Sequence, residues 1–116
     1  MHELAVVQSM LDVVLEHARQ GKAQRVESIV LKIGELRDLV DEYIQSYFDY
    51  LSKDTLAAGA NLKIERLPVV FLCKDCDNRF PVRLQEVVRI ACPHCGGEKV
   101  NLVSGREFYI DHLEVI

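Results

Sequence analysis

The sequence has no apolar stretch able to cross a bilayer. Its apolar runs, such as Val69-Val70-Phe71-Leu72, stop far short of the ~20 residues that a spanning helix needs. A secretory pattern is missing too, since Met1-His2-Glu3 opens without a basic n-region or the apolar segment that would follow it. These absences predict a cytoplasmic protein with no membrane partner. Positive charge is also scarce: the formal net charge is −4. Nucleic-acid binders draw affinity from a basic face that releases counterions from phosphates, so no nucleic-acid partner is expected. Nor is there a Gly-x4-Gly-Lys-Ser/Thr loop, a Gly-x-Gly-x-x-Gly turn, a His-Glu-x-x-His pair or a Gly-x-Ser-x-Gly elbow. With none of these motifs, the chain reads as non-enzymatic.

What is present suffices for a modest core. At 116 residues, 49% of them hydrophobic and 28% charged, the chain is one domain or one domain with a small insertion. Over residues 4–20, Val6, Val7, Met10, Leu11, Val14 and Ala18 recur at three- and four-residue spacing, which predicts an amphipathic helix stopping at Gly21. Residues 25–35 alternate instead, with Ile29, Leu31 and Ile33 facing one way and Ser28 and Lys32 the other, as in a strand ending at Gly34. Asp41 precedes a second helical pattern carrying Ile44, Tyr47, Phe48 and Leu51 on one face. A strand follows over Asn61–Leu67, with Pro68 marking its end, and Ser104-Gly105 reads as a tight turn between Val100–Val103 and a last strand, Glu107–Val115. The expected fold is α/β (α+β): a two-layer sandwich of two helices on a small mixed three-stranded sheet, with an inserted zinc-ribbon module. The expected division is 1–69 plus 106–116 for the α/β body and 70–105 for the module.

All four cysteines lie within 23 residues, as Cys73-x2-Cys76 and, fifteen residues later, Cys92-x2-Cys95. Cytosolic thiols stay reduced, so metal ligation is a better reading than two disulfides. The paired spacing is that of a zinc ribbon. Two residues between cysteines let both sulfurs reach one ion at about 2.3 Å, and two such turns complete the tetrahedron that suits Zn²⁺. Glycines at 96 and 97, just after the second pair, permit the turn that this needs. Four thiolates leave no open position, so the zinc is structural and the activity lies elsewhere. From Cys73 to Lys99 there are five basic and four acidic side chains, and a four-thiolate zinc site adds −2, which leaves no basic patch. Iron in the same tetrahedron and a dithiol redox pair are the competing readings. His94 reads as an exposed loop side chain between two ligands.

His2 sits at the start of a predicted helix. A histidine so placed can chelate through its imidazole and nearby backbone nitrogens, which suits ions that favour planar nitrogen ligation, Ni²⁺ or Cu²⁺. The bulk of His2 disfavours removal of Met1. Met1-His2-Glu3-Leu4 leading into an amphipathic helix, Ile33-Gly34-Glu35 closing the first strand, and the paired Cys-x2-Cys pattern together resemble the HypA/HybF family of nickel-insertion proteins in [NiFe]-hydrogenase maturation. The resemblance spans essentially the whole chain in length and element order. Ala5 departs from the serine often found there.

That resemblance implies a nickel metallochaperone that binds Ni(II) at its N-terminus and helps insert it into the hydrogenase large subunit. His2 is the implied imidazole ligand, with the Met1 amine and backbone nitrogen assisting. Glu3 joins the site through its backbone, with or without its carboxylate, and Asp41 matches the acidic position that can complete it. Cys73, Cys76, Cys92 and Cys95 are the implied zinc ligands, with zinc structural and nickel transient. The implied partners are a HypB-type GTPase and the large subunit; monomer and homodimer both stay open. Asp41 reads equally as a helix N-cap, and Glu3 as a complement to the helix dipole. The alternative function is a zinc-ribbon interaction module in transcription or translation.

Overall fold

A computed structural model of the chain describes residues 3–83 and 89–116. The elements run α1 (Glu3–Gln20), β1 (Val26–Gly34), α2 (Asp41–Leu51), β2 (Asn61–Leu67), β3 (Val69–Cys73), β4 (Arg79–Val82), β5 (Val100–Ser104) and β6 (Phe108–Val115). They form two three-stranded sheets, β2-β1-β6 and β4-β3-β5. The chain divides into two compact units: residues 1–32, 38–65 and 109–116, and residues 33–37 with 66–108. The α+β class expected from the sequence is what the molecule adopts.

In the first unit α1 buries Val7, Met10, Leu11, Val14, Leu15 and Ala18, one stripe at helical spacing. The helix ends at Gln20, directly before the stop expected at Gly21, but the left-handed residue that closes it comes one position later. Lys22 takes the left-handed conformation (φ 55°). Its N–H donates to Arg19 O and that of Ala23 to Ala18 O, a Schellman closure that satisfies the last carbonyls. On β1, Ile29, Leu31 and Ile33 are fully buried, and so nearly are Ser28 and Val30 on the opposite face, as a central strand requires. Backbone bonds from Val26 to Leu56 and from Glu35 to Leu67 ascend together, so β2 runs parallel to β1. Those from Gly34 to Glu107 and from Ile116 to Arg25 run oppositely, so β6 is antiparallel.

Helix α2 packs on α1 and buries Ile44 and Phe48. Tyr47 does not join them: it is exposed, as are Tyr43 and Tyr50, and the Lys53 ammonium lies 5.5 Å from the Tyr50 ring centre. The N-cap is Val40 and not Asp41, which is the first helical residue. A valine side chain offers no acceptor to the orphan N–H groups of that end. Among the described residues, no helix is long and apolar enough to cross a membrane.

The second unit holds a sheet that sequence periodicity does not predict. β3 pairs antiparallel with β4 (Val69 with Val82, Leu72 with Arg79) and with β5 (Phe71 with Leu102, Cys73 with Val100). Pro81 falls on β4, an edge strand, where its missing N–H is tolerated. The core is Val69, Cys73, Phe80, Val82 and Cys92, with Phe71 stacked on Phe80 at 6.1 Å. Ser104-Gly105 is therefore no hairpin: β5 belongs to this sheet and β6 to the other, and the chain changes sheets there.

Candidate metal centres

The four cysteines sit on two turns of the same backbone design. In the first turn Cys73 N–H donates to Asn78 O, and Asp77 N–H returns to Cys73 O, at 2.9 Å each. In the second, Cys92 N–H donates to Gly97 O and Gly96 N–H returns to Cys92 O, at 2.8 Å each. Each turn needs a left-handed residue right after its second cysteine: Asp77 (φ 59°) in one, Gly96 (φ 76°) in the other. Reading β3 directly into the first turn places Cys73 at a strand end, fully buried, while Cys95 is exposed.

These turns bring the four sulfurs within 4.8 Å of one another. Cys73 and Cys95 are separated by 3.5 Å and Cys76 and Cys92 by 3.6 Å, too far for disulfides, and all four are free. A tetrahedron with sulfurs about 2.3 Å from a central ion has edges near 3.8 Å. The donor set thus fits an ion with four soft ligands. N–H groups already point at the sulfurs: His94 N to Cys92 at 3.4 Å, Gly97 N to Cys95 at 3.4 Å, and the Asn78 amide to Cys92 at 3.7 Å. Such donors disperse thiolate charge.

Electrostatics separates the sulfurs from one another, within the second turn as well as between the two turns. Burial works to raise the Cys92 thiol, but N–H donors from the Cys95 and His94 backbone and from the Asn78 side chain hold it at about 6, below its ordinary 9.0. For Cys76 the Asn78 backbone N–H pulls down, yet burial and the surrounding sulfurs of Cys92, Cys95 and Cys73 push it up to about 12. Cys95 is likewise raised: the Gly97 N–H opposes the shift, and the Cys73 sulfur drives it. Four crowded sulfurs resist ionising together unless a cation compensates them.

The sequence-predicted nickel residues fall differently. Met1 and His2 lie outside the described residues. Glu3 is only 5% exposed, and its Oε1 accepts the Val40 N–H at 3.3 Å. Asp41, half-buried, follows Val40 directly as the first residue of α2. Sequence reasoning missed the Glu3–Val40 bond and the Asn78 donor. A bond between residues 37 apart leaves no local pattern, although a valine at the N-cap position was a signal that the cap must come from elsewhere.

The model of the family described as "Hydrogenase/urease nickel incorporation, metallochaperone, hypA" matches residues 1–115. A hydrogenase maturation factor HypA of Dehalococcoides mccartyi is 36% identical over 115 residues, covering 99% of this chain and 94% of that protein. Its counterpart in Caldanaerobacter subterraneus is 37% identical over 116 residues, covering 99% of both. Two solution structures are similar over 100% of this chain. One, of HypA protein, has a TM-score of 0.75 at 28% identity and is covered over 97%. The other, of the Ni metallochaperone HypA from Helicobacter pylori, has a TM-score of 0.67 at 29% identity and is covered over 98%. With a whole-chain family match, relatives above one-third identity and a cage of four sulfurs, this chain belongs to the HypA family of nickel-incorporation metallochaperones in hydrogenase maturation.

Proposed function

We propose that this protein carries Ni(II) to the large subunit of a [NiFe]-hydrogenase, while a separate zinc ion holds its cysteine module together. The cargo is held by the His2 imidazole with backbone nitrogen of the first residues, the Met1 amine included, and Asp41 completes its coordination. Cys73, Cys76, Cys92 and Cys95 hold Zn²⁺. The nickel-binding domain comprises residues 1–69 with 106–116, and the zinc-binding domain residues 70–105. The protein is a cytoplasmic carrier and not a catalyst, and it works beside a HypB-type GTPase.

The observation that supports this reading most is the closed sulfur cluster. Four ligands within 4.8 Å of one another fill a tetrahedral ion and leave no open position for exchange. A transported ion then needs other donors, and a site made mostly of terminal nitrogen releases its ion more readily than a thiolate cage. The test is a nickel titration of the untagged protein beside His2→Ala. The wild type is expected to bind one equivalent and the variant to lose it; equal binding would remove His2 from its role. Nickel content of the hydrogenase large subunit, matured with and without this protein, tests delivery.

A further inference from the structure

We propose that the outer face of the sheet β4-β3-β5 is a docking surface for a partner protein, recognising a segment that carries carboxylates around an apolar centre. The proposal goes beyond the carrier reading and does not depend on it.

A strand turns alternate residues to opposite faces of its sheet. On β3, Val69, Phe71 and Cys73 point into the core of the second unit, with Val82 and Phe80 opposite the first two on β4. Val70 and Leu72 therefore point outward, and the register pairs them with Pro81 and Arg79. The ladder with β5 continues one step past Cys73 and Val100. There the Lys74 N–H donates to Lys99 O at 2.8 Å, which sets two lysines opposite each other at the end of the outward row. Lys74, Arg79, Pro81 and Lys99 are exposed, and Val70 and Leu72 are half-buried. Diagonal neighbours on such a face lie about 7–8 Å apart, which brings Arg79 close to the lysine pair.

Along the chain, basic and acidic side chains alternate from Cys73 to Lys99. The fold sorts them. Glu98 pairs with Arg89 at 3.0 Å, and Asp75 turns its carboxylate to Gly97, beside the Cys95 sulfur. Among the described residues, neither Asp77 nor any of Lys74, Arg79 and Lys99 forms an ion pair. Like charges directly opposite on a ladder destabilise it, and an anionic partner would remove that penalty. The lysines do not serve the sulfurs, whose N–H donors are Asn78, His94, Cys95 and Gly97.

Charge selects what covers this face. Three cations around two aliphatic side chains and a proline match the polar rim and apolar centre of a protein interface. Nucleic acid fits less well, because phosphates reward the cations and leave Val70, Leu72 and Pro81 without a partner.

Fluorescence anisotropy tests this with the full chain holding one equivalent of zinc. The probe is a labelled peptide of glutamates around a Leu-Val-Leu centre, beside the same peptide with glutamine for glutamate. The glutamate peptide is expected to bind, more weakly as salt rises, and the glutamine peptide about tenfold less tightly. Lys99→Glu and Arg79→Glu, on opposite sides of β3, should each weaken binding about fivefold or more. Lys53→Glu, the same charge change in the first unit, should leave it within about twofold. No binding of the glutamate peptide overturns the proposal, and so does equal weakening by Lys53→Glu, which would mean attraction by net charge alone. Tighter binding of a labelled DNA duplex, lost in the same two variants, overturns it in favour of nucleic acid. Self-association in sedimentation that the two variants abolish overturns it in favour of a second copy. Should the variants fail to hold zinc, amide chemical shifts of the wild type decide. The peptide must move Val70, Leu72 and Lys74 and leave α2 unmoved; the reverse pattern, or no shift, refutes the surface.

Discussion

The two cysteine turns share one backbone and differ in chemistry. Both return an N–H to the carbonyl of their first cysteine through a left-handed residue, yet one places an aspartate there and the other a glycine. One holds a thiol at about 12, the other a thiol at about 6. The contrast teaches that backbone geometry is set by the need to converge two sulfurs, whereas acidity is set by who donates to each sulfur. Cys92 collects donors from His94, Cys95 and Asn78; Cys76 collects the proximity of three sulfurs.

The strongest way to break the comparison is to remove the ion. Stripping metal with a chelator, or Cys76→Ser or Cys92→Ser alike, is expected to forfeit on the order of 10 kcal/mol and unfold the second unit. The helical signal of the first unit, with its own core, should survive. Metal analysis and circular dichroism read this, and a variant in only one turn that keeps a full equivalent of metal would break the symmetry.

Acidity gives the next largest effect. Without metal, Cys76 and Cys95 are raised and hold protons at neutral pH, while Cys92 has already lost its own above about 6. The metal-free state therefore binds more protons than the metal-bound state, and zinc affinity must rise with pH. At least two protons displaced correspond to roughly a hundredfold or more per pH unit. The rise should persist beyond 9, because Cys76 holds its proton to about 12. Chelator competition between pH 6.5 and 9.5 measures the slope, and a flat profile contradicts the assignment.

Exchanging the left-handed residues sharpens the backbone half of the contrast. Gly96→Asp should destabilise by about 1 kcal/mol, the penalty of positive φ for a residue with a Cβ. Asp77→Gly should change stability by no more than about 0.5 kcal/mol, since relief of that penalty is offset by greater freedom of the unfolded chain. Thermal melts of the two variants decide it. Equal and opposite shifts would contradict that offset.

How far the sequence could be read follows from what is local. The stripe of α1, the alternation of β1 and the Cys-x2-Cys pairs are periodicities within a few residues, and they stand in the fold where they were expected. Pairing partners are not local. Val69–Leu72 signals burial without naming a neighbour, and Arg79–Val82 is four residues long with a proline, so their sheet was not foreseen. Val100–Ser104 alternates well enough to suggest a hairpin with β6, but its partner is β3, some thirty residues earlier. Tyr47 obeys the helical spacing of Ile44 and Phe48 yet sits 38% exposed, because α2 buries a narrower face than its sequence offers. The Glu3 cap needed coordinates outright.

Ile33-Gly34-Glu35 is one of the motifs that carry the resemblance to the HypA family, and its glycine is enforced by volume. A β-carbon at Gly34 would run into the backbone carbonyl of Gly105. A mutational scan scored on hydrogenase activity should thus find that position as intolerant as a metal ligand. Scored on metal content and melting temperature, the same scan would file it under folding. Intolerance there would record an atom for which the backbone leaves no room.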